Sequence, residues 1–274
     1  MDKRPIGVFD SGVGGLTAVL ELHKILPGED IIYFGDTARV PYGTRSRETV
    51  CKYATQIVHF LASQKVKAMV VACGTISTNL SGAEITSAAP NIPHITLVDP
   101  SVQAALAATR TGRIGVMATP ATIRTNTFNN CIAKSMPQAE VLGVACPLLV
   151  PLVENGMTNF ENQITRLTLE MYLQPLRDFG VDTLILGCTH YPLLLNIVGD
   201  MMPGVTLIDS GACAARATKQ ALEQGNLLSK NQTGSTIYYM TDTINNFASV
   251  AKKFLFEDIE DQCHHILIEE LDNF

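Results

Sequence analysis

The chain contains an internal repeat, in which three short apolar segments of the first half recur in the same order in the second half. The matched pairs are 6–8 with 114–116, 68–75 with 183–190, and 95–99 with 205–209. In the second pair, each segment is an apolar run that ends in a small residue and a cysteine, Cys73 or Cys188. Three matches in one order indicate two copies of a single folding unit.

The apolar runs alternate with amphipathic stretches of helix length. We predict strands at 5–9, 31–35, 67–72, 94–98, 113–117, 139–144, 182–187 and 205–208. We predict helices at 13–26, 46–64, 76–88, 100–110, 120–134, 159–179, 191–201 and 211–224. Continuous Val, Ile and Leu runs between helices are typical of parallel strands that are covered on both faces. The pattern predicts an α/β fold of two similar, pseudo-symmetric domains with mostly parallel sheets and a ligand site between them, at the carboxyl ends of the strands.

The tail that follows the second copy contains further strand-like segments at 236–240 and 265–268, with a helix between them. We expect this tail to complete the first sheet. The first domain is then discontinuous and comprises 1–98 plus 211–274, and the second comprises 99–210.

Composition excludes several classes of partner. The 274 residues carry a net charge of −6 with scattered Lys and Arg, which argues against a nucleic-acid interface. No apolar run approaches the roughly 20 residues of a membrane span, and no signal-peptide core follows the start. Seven cysteines without a dense framework are typical of free thiols in a reducing compartment. We therefore expect a cytoplasmic protein with no nucleic-acid or membrane partner.

Cys73 and Cys188 differ from the other cysteines because each lies where a predicted strand meets a predicted helix. The positive end of a helix favours the thiolate form of a cysteine. His190 follows Cys188 by two positions, and Asp10 or Asp36 is expected near Cys73, so each thiol has a neighbour that can exchange protons. The remaining cysteines are interpreted as small buried apolar residues: Cys51, Cys131, Cys146, Cys213 and Cys263.

Three chemistries fit this pair of cysteines. Cys73, Cys188 and His190 supply three zinc ligands, although no Cys-x-x-Cys is present. A redox disulfide is a second alternative. The third is two-base proton transfer at a carbon atom, in which one sulfur removes a proton and the other returns one to the opposite face. A nucleotide site is also considered at 12–15, but Thr17 stands where the dinucleotide fingerprint has its third glycine.

Several further motifs accompany the cysteines, at 9–16, 33–36, 41–43, 145–148, 151–154 and 186–192. In this order and spacing they resemble the bacterial glutamate racemase family, and the resemblance spans residues 5 to about 220. It implies an enzyme that interconverts L- and D-glutamate without pyridoxal phosphate, other cofactor or metal. It also implies that D-glutamate is supplied for peptidoglycan and that the protein forms a homodimer.

The resemblance implies a role for each matching residue. Cys73 and Cys188 correspond to the catalytic acid/bases, of which Cys188 deprotonates L-glutamate and Cys73 deprotonates D-glutamate. Asp10 corresponds to a residue near Cys73 and the substrate ammonium, and His190 to the residue that assists Cys188. Asp36 and Glu154 match acids close to the catalytic groups. The positions that match substrate-binding residues are Ser11, Pro41, Tyr42, Gly43, Gly74, Thr75, Thr119, Thr122 and Thr189.

The chain departs from the family pattern at Gly74. The first cysteine block of the family reads Cys-Asn-Thr, whereas this chain has Cys73-Gly74-Thr75. Gly74 removes a hydrogen-bonding side chain, and poor replacement by water costs about 1 kcal/mol. Gly74 leaves open a racemase of another amino acid such as aspartate. A non-catalytic amino-acid-binding protein on the same scaffold is a second alternative, against which the presence of both cysteines and His190 argues. The segment 41–43 with Thr189 and His190 favours glutamate.

Overall fold

The structure is a computed structural model that describes residues 2–274. Its strands are Ile6–Asp10 (β1), Ile31–Gly35 (β2), Ala68–Val71 (β3), His94–Thr96 (β4), Arg113–Ala118 (β5), Glu140–Ala145 (β6), Thr183–Leu186 (β7), Thr206–Asp209 (β8), Thr236–Met240 (β9) and Cys263–His265 (β10). They form a six-stranded sheet in the order β10-β9-β2-β1-β3-β4 and a four-stranded sheet in the order β6-β5-β7-β8. Neighbouring strands in both sheets run parallel.

The α-helices are Leu16–Ile25 (α1), Arg47–Ser63 (α2), Gly74–Asn79 (α3), Gly82–Ala88 (α4), Val98–Ala108 (α5), Pro120–Arg124 (α6), Thr127–Ser135 (α7), Leu149–Glu154 (α8), Gln163–Phe179 (α9), Leu195–Met201 (α10), Ser210–Gln224 (α11) and Ile244–Leu255 (α12). Short 3-10 turns lie at Thr37–Arg39, Tyr42–Thr44, Tyr191–Leu194, Glu260–Gln262 and Ile268–Asn273. No helix in residues 2–274 combines the length and apolar character that a membrane crossing requires.

Helices cover both faces of the six-stranded sheet. In β1, Val8 packs in a core cluster with Leu16 of α1, whereas Phe9 points to the other face and packs with Ile57 of α2. All five residues of β1 are buried. This explains why the strand reads as a continuous apolar run rather than an alternating one. The prediction of an α/β fold with two parallel sheets is confirmed.

The internal repeat is visible in the strand order. β1, β3 and β4 are neighbours in the first sheet, and β5, β7 and β8 are neighbours in the same order in the second. β9 and β10, from the tail of the chain, extend the six-stranded sheet beyond β2. The residue limits of the two domains stay a prediction.

Several predicted boundaries were wrong for local reasons. The helix predicted at 76–88 is divided because Leu80 is extended and Ser81 caps α4 in a capping box with Glu84. The helix predicted at 120–134 is divided at Asn126, which has a left-handed backbone with φ of 54°. The helix predicted to start at 159 begins after Asn162, whose side chain accepts a hydrogen bond from the Thr165 amide.

Two further elements differ from the prediction. Helix α8 was not predicted. Pro151 lies in the first turn of α8, where a backbone N–H has no partner within the helix, so proline is tolerated there. The last predicted strand, 265–268, is displaced: β10 ends at His265, and Ile268 begins a 3-10 turn.

Candidate active site

A cavity of about 340 Å³ lies between the two sheets, at the carboxyl ends of their strands. From the loops of the six-stranded sheet, the predicted residues that line it are Asp10, Ser11, Pro41, Tyr42, Gly43, Cys73, Gly74 and Thr75. From the four-stranded sheet they are Thr119, Glu154, Cys188, Thr189 and His190. Both matched cysteines therefore open into one cavity. Asp36 and Thr122 are not among the residues that line it.

Cys73 lies two positions after the end of β3, at the N-terminus of α3, with its Sγ 3.5 Å from the hydroxyl of Ser11. The Asp10 carboxylate accepts hydrogen bonds of 2.7 Å from the amides of Ser11 and Gly15. Burial, together with the negative charge of Asp10, raises the pKa of the Cys73 thiol well above its ordinary value. Cys73 consequently holds its proton in the free protein.

Cys188 lies two positions after the end of β7 and has a different electrostatic environment. Its Sγ is 3.7 Å from Nδ1 of His190, and Nε2 of His190 is 2.9 Å from the Glu154 carboxylate. Burial lowers the pKa of His190, but hydrogen bonds with Cys188 and Glu154 outweigh this effect and raise the pKa to about 10. A positively charged imidazole therefore lies beside Cys188. We call Cys188, His190 and Glu154 the Cys188 relay.

Asp36 lies behind the turn that carries Pro41 and Tyr42. Its buried carboxylate accepts hydrogen bonds from the hydroxyls of Tyr42 and Thr241, the latter at 2.8 Å, and from Nε of Arg39 at 2.6 Å. Burial, followed by the charge of Asp36, raises the pKa of Tyr42, so this phenol remains a hydrogen-bond donor. These hydrogen bonds hold in place the turn of Pro41 and Tyr42, which lines the cavity, although Asp36 itself does not line it.

Three threonine hydroxyls form a chain between the two halves of the molecule. Thr75 follows Cys73, and its hydroxyl is 3.0 Å from that of Thr119, which is 3.0 Å from that of Thr122. Thr119 also caps α6 by accepting a hydrogen bond from the Thr122 amide. Thr122 therefore acts behind Thr119 and orients it.

Two glycines, Gly74 and Gly14, lie where the two halves of the molecule touch, a role that the sequence did not predict. A Cβ atom at Gly74 would overlap the backbone carbonyl of Gly187, the residue before Cys188. A Cβ atom at Gly14 would overlap the ring of His190. Gly74 therefore allows the two cysteine-bearing segments to approach each other closely, and Gly14 allows the turn between β1 and α1 to approach His190. The sequence signal for the contact at Gly14 is the glycine-rich segment 12–15, which was considered above as a nucleotide site.

The structure also bears on the remaining cysteines and on the alternatives to proton transfer. Cys146, predicted to be a structural residue, lines the cavity, and its thiol donates to the Val144 carbonyl at 3.4 Å. All seven cysteines are free thiols. Across residues 2–274, no three His, Cys, Asp or Glu side chains come together as a metal site, which the zinc alternative requires.

Relatives that share this duplicated α/β fold are named glutamate racemases, so the class of the protein is that of isomerases acting on amino acids. A sequence profile described as Asp/Glu/Hydantoin racemase matches residues 16–218. The chain belongs to this family of racemases.

Similar proteins agree with this assignment. A glutamate racemase from Geobacter metallireducens is 45% identical over 257 residues, which cover 93% of this chain and 94% of that one. The crystal structure of glutamate racemase from Francisella tularensis in complex with D-glutamate superposes with a TM-score of 0.89 at 40% identity and covers 100% of both chains. A glutamate racemase isoform from Bacillus anthracis has a TM-score of 0.92 at 34% identity and covers 98% of this chain and 99% of that one.

Proposed function

We propose that the chain interconverts L- and D-glutamate without a cofactor, by proton transfer between substrate and two cysteines. The observation that carries this proposal is the shared cavity, into which Cys73 opens from one sheet and Cys188 from the other. The relative from Francisella tularensis, whose structure contains D-glutamate, supports the choice of substrate.

In the L-to-D direction, the Cys188 sulfur removes the α-proton from L-glutamate, and the Cys73 thiol gives its own proton to the opposite face of the carbon. Cys188 ends as a thiol and Cys73 as a thiolate, and exchange with solvent restores the starting state. The D-to-L direction reverses each step. The protonation states of the free protein support this scheme, since burial and Asp10 keep the proton on Cys73 and imidazolium His190 lies beside Cys188.

Removal of an α-proton beside a carboxylate also requires stabilisation of the charge that develops there. Preorganised donors aimed at that charge supply much of such a rate enhancement. We assign this task to the hydroxyls of Ser11, Thr75 and Thr119, to Thr189, and to the backbone of 41–43. Thr122, Asp36 and Gly74 shape the same site, by orienting Thr119, by fixing Tyr42 and by admitting Gly187. Closure of the two halves over the ligand would exclude water and strengthen these contacts.

Circular dichroism of substrate solutions tests the proposal. With L-glutamate and no added cofactor, we expect the signal to decay to zero, as the two enantiomers reach equal concentrations. Decay with L-aspartate but not with L-glutamate would instead support the aspartate alternative. Binding of glutamate by calorimetry without decay of the signal would support a non-catalytic binding protein.

We further propose the biological setting that the resemblance implies. The protein supplies D-glutamate for peptidoglycan in the cytoplasm and functions as a homodimer whose protomers each comprise domains 1–98 plus 211–274 and 99–210. Measurement of molecular mass in solution by light scattering tests the dimer, and a monomer at micromolar concentration would contradict it.

A further inference from the structure

His190 belongs to the half of the molecule with the four-stranded sheet, but it contacts residues of the other half. It follows β7, and its partner Glu154 ends α8. Gly14, which packs against the His190 ring, lies in the turn between β1 and α1. Phe254 also contacts this ring and lies in α12, which is between β9 and β10 in the chain.

Phe254 restricts the orientation of the imidazole. Its side chain is completely buried, and its ring centroid is 5.6 Å from that of His190 at an interplanar angle of 84°. This edge-to-face arrangement is one that aromatic pairs prefer. With Gly14 also against the ring, the imidazole has little freedom to turn away from the direction that joins Cys188 to Glu154.

Lys253 contacts Glu154, the carboxylate member of the Cys188 relay. Its Nζ donates a hydrogen bond of 2.8 Å to the backbone carbonyl of Glu154. This carbonyl is at the C-terminal end of α8, where basic side chains satisfy carbonyl groups that have no partner in the helix. The Glu154 side chain is 40% exposed, so an anchor on its backbone limits how far its carboxylate can move from His190.

We propose that α12 positions the Cys188 relay, with Phe254 and Lys253 as positioning residues for proton transfer at Cys188. This inference rests on the proposed function and adds a role for the C-terminal part of the chain. The groups that face His190 are Cys188 and Glu154 at its two ring nitrogens and Phe254 on the side of α12. The polar partners of Cys73 lie on the neighbouring strand β1 or just beyond it: Asp10 is the last residue of β1, and Ser11 follows Asp10. Disturbance of α12 should therefore slow the step at Cys188 and leave Cys73 unaffected.

Two substitutions in α12, each with a matched control, test this inference. Phe254→Leu removes the aromatic contact and keeps an apolar side chain, and Phe247→Leu is its control because Phe247 is also buried in α12 but packs against Tyr33 and Tyr238. Lys253→Met removes the anchor on Glu154, and Lys252→Met is its control because, within residues 2–274, Lys252 pairs only with exposed Asp258.

We expect kcat to fall about tenfold in Phe254→Leu and about threefold in Lys253→Met, with KM within about twofold of the wild type. Both controls should keep kcat within about twofold. Lys253→Arg should restore most of the loss, because its guanidinium can still donate to the Glu154 carbonyl. Equal losses in the controls would show that α12 has only a structural role and would overturn the inference.

Alkylation by iodoacetamide gives a second test that requires no turnover. Labelling of Cys188 and Cys73 is followed in the same sample by peptide mass spectrometry between pH 7 and pH 10. We expect Cys188 to be labelled several-fold more slowly in Phe254→Leu and in Lys253→Met, and Cys73 to be labelled at the wild-type rate in both. Wild-type labelling of Cys188 in Lys253→Met would overturn the inference even if Phe254→Leu failed to fold. Absence of racemisation by the wild type would contradict the proposed function but would leave this labelling test intact.

Discussion

The two cysteine segments share a backbone arrangement but have opposite electrostatic surroundings. Cys73 and Cys188 each follow the strand next to the first strand of their repeat, yet Cys73 has the Asp10 carboxylate as its neighbour and Cys188 has the His190 imidazole. The negative neighbour retains the proton on Cys73, whereas Cys188 lies beside a positively charged imidazole. Duplication of a folding unit thus supplied the geometry, and a few side chains made the two copies chemically different.

This difference need not favour one enantiomer of the substrate. L- and D-glutamate have equal free energies in water, so kcat/KM must be the same in both directions at equilibrium. The asymmetry between Cys73 and Cys188 can therefore appear only in kcat and KM taken separately, and in the order in which the sulfurs exchange protons with solvent. Measurements on single variants must cover both directions for this reason.

Removal of either sulfur should have the largest effect. We expect Cys73→Ala and Cys188→Ala each to reduce kcat/KM by about 10⁴-fold in both directions, because each direction needs one sulfur as base and the other as acid. Circular dichroism spectra and thermal unfolding should match those of the wild type. A folded variant with more than a tenth of the wild-type rate would show that the two segments are not partners. Cys213→Ala, at a buried cysteine that does not line the cavity, is the control.

Loss of the positive neighbour should have the next largest effect. We expect His190→Asn to reduce kcat about 10²-fold, since the charge beside Cys188 is lost. The wild-type rate should fall as the pH rises through about 10, where His190 loses its proton, and the variant should lack this limb. Because the pKa of His190 is raised from 6.5, its charged interactions stabilise the fold fully below pH 6.5 and are lost through about pH 10. The difference in Tm between the wild type and His190→Asn should therefore become smaller as the pH rises from 6.5 to about 10.

Close approach of the two segments can be tested at Gly74. Because a Cβ there would overlap the Gly187 carbonyl, Gly74→Ala should force the segments apart and raise KM about tenfold, with a loss of stability of about 1–3 kcal/mol. Gly199→Ala is a control, since a Cβ at that glycine makes only ordinary contact. Unchanged KM and unchanged Tm in Gly74→Ala would mean that the contact between the segments is not required.

The smallest expected effect concerns the negative neighbour. We expect Asp10→Asn to increase the rate at which iodoacetamide labels Cys73 by a few fold at pH 8, because removal of the charge lowers the pKa of this thiol. Labelling of Cys188 in the same sample should not change. A slower reaction of Cys73 would mean that Asp10 assists deprotonation of this thiol, and the contrast between the two segments would then be wrong.

Local pattern predicted more of the fold than of the side-chain contacts. Apolar runs and their repetition predicted the α/β class and the position of Cys73 and Cys188 at strand ends, because these depend on nearest neighbours in the sequence. The pairing of Glu154 with His190 and the contact of Phe254 with the same ring join segments that are far apart in the chain. Such contacts depend on how helices pack, which periodicity does not determine. The family resemblance indicated Glu154 but not the residue that it contacts, and nothing indicated Phe254.

Asp36 illustrates a similar limit. The sequence predicted Asp10 or Asp36 near Cys73, and Asp10 is that neighbour. The Asp36 carboxylate is instead buried behind Tyr42 and bonded to Thr241 from the tail of the chain. Its partners lie in a turn and in a distant strand end, so its orientation depends on the assembled sheet. The role of Asp36 as a supporting acid stays a prediction.

Deuterium incorporation during a single direction of turnover tests the two-sulfur mechanism most directly. L-glutamate is converted in D₂O while a D-amino-acid oxidase removes the product irreversibly, and the remaining L-glutamate is examined by NMR at early times. In a parallel sample without the oxidase, newly formed D-glutamate is analysed by mass spectrometry. If different sulfurs remove and deliver hydrogen, the product carries deuterium at Cα and the unconverted substrate does not. Deuterium in the unconverted substrate, or product that retains the original hydrogen, would contradict the account by indicating a single base.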